Sequence, residues 1–412
     1  MDELRTAFSR HYNRPVAALV RAPGRVNLIG EHTDYSDLPV LPIAMDRATL
    51  LAAAPRDDGV LRARSTRFEG EANLRLDGTG GTAPWHRYIA GALAQLADRT
   101  TGRGVGADLF VGGDLPTTGG LSSSSSFTVG LLASLNLVWE LGLELDRLVE
   151  LAIVAERHVG VESGGMDQTV IAHARAGAAL RIDFAPRQVQ EVPLPEELRI
   201  VVAYSGQEAP KGGSARDAYN ERVIGCRLAA ALLGHRLGRE ALPRVLGQVA
   251  GAVDPSMVSG LPELATAAAV ADELGEDAQR LVQLTAGAFD PEQPVSVQAF
   301  ARHVLSEAER VDGAEAALLA GDLEGFGSLL DASHHSLAHH YRCSTEGLDR
   351  LCQAMRDAGA LGARLTGAGF GGYALAVARP DRLEAVKAAA RRCVEGPVFE
   401  TRASDGLAVS SV

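Results

Sequence analysis

The chain has 412 residues, of which 46% are hydrophobic, and its formal net charge at pH 7 is −12. This length is too great for a single hydrophobic core, so we expect two domains. The negative charge disfavours nucleic acid and anionic membranes as partners, because both repel an acidic protein.

The N-terminal stretch MDELRTAFSRHYNRP lacks the apolar centre of a signal peptide, and no apolar run long enough to span a bilayer occurs in the sequence. We therefore expect a soluble, cytoplasmic protein with no membrane partner. Four widely spaced cysteines lack the pairing of a metal site and predict reduced, structural thiols. They are Cys226, Cys343, Cys352 and Cys393.

Lysine is almost absent from the chain: of its 40 lysine and arginine residues, only Lys211 and Lys387 are lysines. Neither lysine stands in a GK[ST] loop or in a VAIK-type strand. P-loop NTPases and eukaryotic-type protein kinases are therefore excluded. Any phosphate charge must be bound by backbone N–H groups, Mg²⁺ or arginine.

The first part of the chain predicts a short amphipathic helix over residues 2–13 and a strand over residues 17–20. An apolar strand then leads into the polar cluster Glu31, His32 and Asp34, with Arg25 just upstream. Such a cluster offers donors and acceptors for a polyhydroxylated ligand. Each residue alone is better explained as an ordinary surface polar group, but four together indicate a site.

Alternating apolar and polar residues predict antiparallel strands over residues 50–75. A helix follows from about residue 85 to residue 97. Trp85 and Tyr88 lie one helical turn apart, so that both rings face the same side. Packing in a core remains the alternative role for both rings.

A glycine-serine turn, GGLSSSSS (residues 119–126), separates a predicted strand (107–113) from an apolar helical run (127–143). The start of a helix presents unpaired N–H groups and the positive end of the helix dipole, which together favour an anion. Serine hydroxyls add donors and offer a ligand for Mg²⁺. The alternative, a flexible Gly/Ser linker, does not fit such apolar flanks. The turn therefore predicts a phosphate-binding site at Gly119, Gly120, Leu121, Ser122, Ser123, Ser124 and Ser125.

Residues 148–158 predict a helix that carries Glu156 near its end, and a glycine-containing loop with Gly164 follows. Asp167 comes next, at the start of an apolar segment. From its position alone, a helix N-cap is a better explanation of Asp167 than catalysis.

Strands are predicted over residues 178–184 and 198–204, and helices over most of the chain from Asp217 onward, with Tyr219 at the start. Residues 241–330 show no catalytic pattern. A cluster of histidines (His334, His335, His339, His340) suggests a metal site, but no acidic or cysteine partners accompany it, so a solvated helix face is expected. A glycine-rich stretch (362–372) precedes a strand over residues 373–378.

Three of these stretches carry a family resemblance. GRVNLIGEHTDY resembles the N-terminal signature of galactokinases, which are members of the GHMP family of small-molecule kinases. LPTTGGLSSSSS resembles the ATP-binding motif of that family, and residues 362–372 resemble its C-terminal glycine-rich motif. The motifs occur in the family's order and span most of the chain, so the resemblance is far more specific than one glycine-rich match.

The resemblance implies an α+β fold of two domains with the active site in the cleft between them. We expect an N-terminal domain (1–190) that binds sugar and ATP, and a C-terminal GHMP-type domain (191–412). The implied reaction is transfer of phosphate from ATP to the C1 hydroxyl of galactose, with Mg²⁺ as cofactor, by a monomeric enzyme.

The resemblance also implies individual roles. Asp167 and Arg25 would be catalytic, with Asp167 acting as a base or as an electrostatic aligner. Mg²⁺ would lie at Ser124 and Glu156, and adenine at Trp85 and Tyr88. The sugar would be bound by Glu31, His32, Asp34, Gly164 and Tyr219.

Other substrates and another class of function stay open at this stage. The segment Ser36-Asp37-Leu38-Pro39 and the loop around Ser163 depart from most galactokinases and resemble the branch with N-acetylgalactosamine kinase. A 2-acetamido sugar is therefore the alternative to galactose, since small residues near Ser163 would enlarge the pocket at C2. A non-catalytic sugar sensor is disfavoured because the serine turn and the catalytic pair are intact. A mevalonate- or homoserine-type kinase is disfavoured because the sugar-type cluster Glu31-His32-Thr33-Asp34 would have no function in it.

Overall fold

The computed structural model describes residues 1–100, 102–160, 164–208, 213–283 and 289–412, without the side chains of residues 213–216. The helices are α1 (Asp2–Tyr12), α2 (His86–Thr100), α3 (Ser123–Val138), α4 (Leu145–Arg157), α5 (Met166–His173), α6 (Gly213–Arg236), α7 (Pro255–Ser259), α8 (Ala267–Leu274), α9 (Ala278–Leu281), α10 (Val297–Ala320), α11 (Leu323–His339), α12 (Glu346–Asp357) and α13 (Leu383–Cys393). The strands are β1 (Ala18–Ile29), β2 (Leu41–Arg56), β3 (Val60–Ser65), β4 (Ala72–Arg75), β5 (Gly106–Gly113), β6 (Ala178–Phe184), β7 (Arg187–Pro193), β8 (Arg199–Tyr204), β9 (Leu264–Ala265), β10 (Val295–Ser296), β11 (Gly362–Thr366), β12 (Tyr373–Ala378), β13 (Val398–Thr401) and β14 (Ala408–Ser411).

The first sheet has six strands in the order β14-β1-β2-β5-β3-β4. Neighbouring strands are antiparallel except for β3 and β5, which are parallel. The edge strand β14 is the last element of the chain and pairs with β1, so the C-terminus returns to the sheet formed by the first 113 residues.

Helix α3 packs against β1 and β2 in the centre of this first layer. It is apolar on every side, as expected of a helix that other elements surround completely. Phe127, Leu131 and Leu135 on α3 are buried among residues of α2, α4 and the sheet. This burial holds the first turn of α3, and with it the glycine-serine turn, in a fixed position.

The second sheet has four antiparallel strands in the order β11-β12-β8-β13. One of its faces packs on a core shared with α6, α10, α12 and α13, which includes Leu228, Val304 and Leu351. Sheets that are mainly antiparallel, with helices on their faces, form an α+β protein, as the family resemblance implies.

A separate core joins the two sheets. Ile29 of β1 and Ile43 of β2 are fully buried against Val202 of β8, Leu375 of β12 and Phe326 of α11. Because β1 ends inside this core, the polar residues that follow it lie at the junction of the two halves of the chain.

Most predicted elements are present, with shifted boundaries. The strand predicted over residues 17–20 continues to Ile29, and the helix predicted from residue 127 begins at Ser123. The histidine cluster is divided: His335 and His339 are exposed, as expected, whereas His334 is buried and approaches Asp349 at 3.2 Å. Within the described residues, no helix is both long and apolar enough to cross a membrane. The domain boundary at residue 190 stays a prediction.

Candidate active site

The glycine-serine turn leads from β5 into α3, as the sequence predicts. Gly119 and Gly120 have φ values of 91° and 93°, which L-residues with side chains rarely adopt. Ser122 also has a left-handed conformation, and the helix begins at Ser123. The first N–H groups of α3 have no acceptor within the helix and point out of its N-terminus, where they favour an anion.

Arg25 and Asp167 meet directly beside this turn. Nε and one terminal nitrogen of Arg25 donate to the two carboxylate oxygens of Asp167, at 2.7 and 3.0 Å. The other terminal nitrogen donates to the Gly120 carbonyl oxygen at 2.6 Å. Burial opposes the charge of Arg25, but the carboxylates of Asp167 and Glu31 outweigh it and raise the pKa of the guanidinium. Two residues 142 positions apart thus form a fixed, oppositely charged pair.

Ser122 contributes a third donor to this pair. Its hydroxyl hydrogen-bonds to Oδ2 of Asp167. In the described structure the Ser122 side chain is therefore directed at the catalytic candidate, although the sequence predicts it as a phosphate ligand. Neither the motif nor the spacing distinguishes Ser122 from the serines that follow it.

Glu156 lies behind the turn, near the end of α4, and is 9% exposed. Ser125 donates to its Oε2 at 2.9 Å, while Oε1 is buried and has no hydrogen-bond partner among the described residues. Burial, together with the charge of Asp167, raises the pKa of Glu156 to about 8. The carboxylates of Asp167 and Glu156, together with the unpaired Oε1 of Glu156, form a place where a cation would be stabilised.

The predicted metal partner of Glu156 was Ser124, but the hydroxyl bonded to Glu156 is that of Ser125. The Ser124 side chain lies beside Tyr88 on α2, so the Tyr88 ring is at the same end of the turn. The motif alone does not decide which serine faces the carboxylate, because successive positions on a helix point about 100° apart.

Trp85 is only 6% exposed and packs between Phe68 and Phe127, with Nε1 donating to the Glu69 carbonyl oxygen at 3.0 Å. These contacts are those of a core residue. They favour the packing alternative for Trp85, and its contact with adenine stays a prediction.

The polar residues after β1 form a buried loop, here called the GEHTD loop (residues 30–34). Oε1 of Glu31 accepts the Gly367 N–H at 2.7 Å, and Glu31 lies 3.6 Å from Arg364. His32 Nε2 lies 3.1 Å from the Ala368 carbonyl oxygen. Burial lowers the pKa of His32 well below its ordinary value, so the ring is neutral at pH 7 and donates from Nε2. Both side chains tie the GEHTD loop to residues 367–372, here called the C-terminal glycine loop.

Asp34 lies on the other side of the GEHTD loop, next to the Arg25–Asp167 pair. Its Oδ2 accepts the Gly164 N–H at 3.1 Å. A Cβ at position 164 would lie 2.2 Å from the Asp34 carbonyl carbon, so only glycine fits there. Burial and the charge of Asp167 raise the pKa of Asp34 to about 6. Ser163, which the sequence analysis places near the sugar's C2, lies outside the described residues.

Aromatic rings line the same loop. The ring of Tyr219 on α6 lies 5.5 Å from those of His32 and Tyr35. Behind them, the hydroxyls of Tyr35 and Tyr341 hydrogen-bond to each other. Tyr219 therefore lies beside the GEHTD loop, and its contact with a sugar stays a prediction, whereas Tyr35 and Tyr341 were not singled out in the sequence.

The glycine-serine turn and the C-terminal glycine loop face each other across a cavity of about 250 Å³. Thr117, Gly119 and Gly120 line one side, and Thr366, Gly369 and Gly372 line the other. Glycine and alanine make up six of the ten lining residues, so a ligand in this cavity would meet many backbone N–H and C=O groups, beside three threonines and the side chain of Glu208.

The chain is similar to known proteins of one family. The galactokinase galactose-binding signature matches residues 6–55, and the GHMP kinase N-terminal and C-terminal domains match residues 87–175 and 314–396. The galactokinase of Chloroflexus aurantiacus is 37% identical over 403 residues, covering 94% of this chain and 91% of that protein. The chain belongs to the galactokinase family. The galactokinase of a Roseiflexus species is a further relative, 36% identical over 98% of this chain and 96% of its own length.

Solved structures agree with this family. The crystal structure of Lactococcus lactis galactokinase complexed with galactose superposes with a TM-score of 0.80 at 28% identity, over 99% of each chain. A mevalonate kinase superposes with a TM-score of 0.60 at 16% identity and shares the fold only. The two-domain GHMP kinase fold and the kinase assignment predicted from the three motifs are thus confirmed.

Proposed function

We propose that this member of the galactokinase family transfers the γ-phosphoryl group of ATP to the C1 hydroxyl of galactose, giving galactose 1-phosphate and ADP. The observation that carries the proposal is the Arg25–Asp167 pair, which lies between the glycine-serine turn and the GEHTD loop. A carboxylate in that position reaches both a phosphate at the start of α3 and a sugar beside Asp34.

In the proposed reaction, Asp167 accepts the proton of the C1 hydroxyl as a bond forms from that oxygen to the γ-phosphorus. The bond from phosphorus to the β,γ-bridging oxygen breaks, and ADP leaves with the bond electrons. Arg25 holds the Asp167 carboxylate in place through two hydrogen bonds, and the donors at the start of α3 stabilise the charge on the phosphoryl oxygens. Positioning and charge stabilisation are the main requirements of such a transfer.

Magnesium fits this site. Magnesium is usually bound by one or two carboxylates together with substrate phosphates and water. Among the described residues, no three His, Cys, Asp or Glu side chains form a metal cluster, but Glu156 offers its unpaired Oε1 beside a serine hydroxyl. We propose that Glu156, with Ser125 or Ser124, holds Mg²⁺, which would neutralise charge on the β- and γ-phosphates.

We propose that the sugar hydroxyls bind to Asp34, His32 and Tyr219, and that Glu31 contributes with the carboxylate oxygen that Gly367 does not use. The nucleotide would occupy the glycine-lined cavity, with Tyr88 near the phosphates and the adenine farther along α2. All of these groups come from one chain, so a monomer suffices for catalysis. We also propose two domains, residues 1–190 and 191–412, and the cytoplasm as the location, since ATP is the donor and the cysteines are free thiols.

A sugar panel tests the proposed function. ADP release is measured at fixed Mg-ATP with galactose, N-acetylgalactosamine, glucose and no sugar, and the product is identified by ³¹P NMR. We expect turnover with galactose and an anomeric phosphate as product. Preference for N-acetylgalactosamine would favour the 2-acetamido alternative, and sugar binding without ADP release would favour a non-catalytic sensor.

A further inference from the structure

Helix α10 contacts the backbone of the GEHTD loop through two buried polar residues on one face. Oε1 of Glu307 accepts the N–H groups of Gly30 at 3.0 Å and of Glu31 at 3.3 Å. His303, one helical turn earlier, places Nε2 3.1 Å from the Glu31 carbonyl oxygen. Three backbone groups of Gly30 and Glu31 therefore have their partners on α10, in a segment that showed no catalytic pattern in the sequence.

The geometry leaves no space between the helix and the loop. His303, Glu307 and Val311 are spaced four residues apart and so lie on the same face of α10. A Cβ on Gly30 would lie 2.9 Å from Cγ2 of Val311 and 2.8 Å from Cα of Val40. Only glycine permits so close an approach, and this approach makes the two N–H bonds to Glu307 possible.

Both polar residues are themselves held in place by α11. Ser333 donates to Oε1 of Glu307 at 2.6 Å, and Ser336 lies 2.8 Å from Nδ1 of His303. Arg310 donates to Oε2 of Glu307 at 2.7 Å. His303 and Glu307 are completely buried, so neither side chain can exchange these partners for water.

The charge states suit these contacts. Burial opposes ionisation of Glu307, but Arg310 and Arg364 outweigh it and lower the pKa of Glu307 to about 2. Burial lowers the pKa of His303 to about 4, so its ring is neutral at pH 7. A neutral ring that donates from Nε2 to Glu31 accepts at Nδ1 from Ser336, which matches both observed contacts.

We propose that Glu307 and His303 are positioning residues for sugar binding, which fix the backbone of Gly30 and Glu31 and thereby direct His32 and Asp34 at the sugar. The inference rests on the proposed sugar-binding role of the GEHTD loop. Neither residue touches the substrate or the reacting atoms. Losing either contact frees the loop, so sugar affinity falls more than nucleotide affinity, because the loop carries the proposed sugar ligands and reaches the nucleotide cavity only through the C-terminal glycine loop.

The test compares Glu307→Gln with the wild-type protein. Glutamine has nearly the same volume but no charge, and its amide group cannot accept from both Arg310 and the two loop N–H groups. We expect the Kd of galactose, measured by calorimetry, and its KM to rise at least tenfold. The Kd of ADP should rise much less than that of galactose, and kcat should change less than the KM of galactose. Glu309→Gln is the matched control, because Glu309 is exposed on the same helix, and it should behave as wild type.

A second pair of variants tests the contact between His303 and the Glu31 carbonyl oxygen. These variants also test the inference if Glu307→Gln does not fold. His303→Ala should raise the galactose Kd at least fivefold, and His303→Gln, whose amide nitrogen replaces Nε2, should restore most of the affinity. Folded variants with a galactose Kd within twofold of wild type would overturn the inference. So would an equal loss of galactose and ADP affinity, which indicates general damage. If the wild-type protein binds no galactose, the proposed function fails and the inference falls with it.

Discussion

Asp167 is the residue on which the proposed chemistry depends. Its carboxylate accepts two N–H hydrogen bonds from Arg25 and one O–H hydrogen bond from Ser122. These three donors hold the Asp167 side chain in one orientation. An Asp at the start of a helix is commonly a cap, but here its oxygens are directed at Arg25 and Ser122.

We predict that Asp167→Asn lowers kcat by about 100-fold or more, because an amide cannot take the proton of the acceptor hydroxyl. The Kd of ADP, measured by calorimetry, should remain close to that of wild type. Arg25→Ala should lower kcat to a similar extent, since it removes the partner of Asp167. Turnover at the wild-type rate in either variant would contradict the proposed roles.

The pKa of Asp34, raised to about 6, predicts an acid limb in the pH profile. Sugar hydroxyls donate to the ionised carboxylate, so protonation of Asp34 competes with sugar binding. As pH falls below about 6, kcat/KM for galactose should fall by up to tenfold per pH unit, the slope for one proton. Initial rates between pH 5 and 8 would measure it. Asp34→Asn should lack this limb, and a flat wild-type profile would contradict the assignment.

Glu156 gives a prediction about magnesium. Because Oε1 of Glu156 has no described partner, replacing the carboxylate by an amide removes the proposed ligand charge without breaking a bond at that oxygen. Glu156→Gln should raise the Mg²⁺ concentration for half-maximal rate about tenfold, read from ADP release at saturating galactose. Glu150→Gln is the control, since Glu150 is exposed on the same helix. An unchanged magnesium dependence in Glu156→Gln would argue against the metal site.

At the scale of elements, the site is an arrangement of loops at the ends of buried strands and helices. The GEHTD loop follows β1, the glycine-serine turn precedes α3, and Gly164 and Asp167 flank the start of α5. Each loop is short and adjoins a strand or helix that is buried in a hydrophobic core. The polar groups that the loop carries therefore occupy defined positions.

The contact between Gly164 and Asp34 is the point where two of these loops depend on each other. Gly164→Ala should displace the GEHTD loop, because the new Cβ would lie 2.2 Å from the Asp34 carbonyl carbon. We expect the KM of galactose to rise about tenfold or more and the KM of ATP to change little, measured by steady-state kinetics. Gly251→Ala adds the same methyl group where nothing lies within 4 Å and should have no effect. Equal KM values for galactose in both variants would contradict this coupling.

The sequence predicts these elements well where the signal is local. Periodicity and glycine placement are enough for the glycine-serine turn and for the strand before the GEHTD loop, and the three motifs identify the family. Ser125 next to Glu156, and Ser122 on Asp167, were not predicted, because a run of five serines does not show which hydroxyl faces which carboxylate. Glu307 and His303 lie in an Ala-rich amphipathic helix, and only the long-range packing of α10 on the GEHTD loop gives them a role.

At the scale of the whole molecule, an acidic chain has to build a site for a polyanion locally. The net charge of −12 does not attract ATP, so the helix N-terminus, the backbone of two glycine loops and Arg25 must do so. The two halves of the chain enclose this site. Residues of β1, α3 and α5 contribute from the first half, whereas Tyr219, the C-terminal glycine loop and α10 contribute from the second.

The last strand of the chain pairs with the strand that carries Arg25. Strand β14 pairs with β1 over Ala18 to Arg21, and β1 continues from there to Arg25 and the GEHTD loop. The C-terminal strand therefore lies beside the strand that carries a proposed catalytic residue. No local pattern in the sequence reveals this arrangement.

A crystal structure with galactose and a non-hydrolysable ATP analogue tests the central claim most directly. We predict that the sugar C1 oxygen lies within about 2.6–3.2 Å of an Asp167 carboxylate oxygen. The γ-phosphate should lie at the start of α3, in line with that oxygen. Galactose bound away from Asp34 and Asp167, or a nucleotide whose phosphates lie outside the glycine-serine turn, would contradict it.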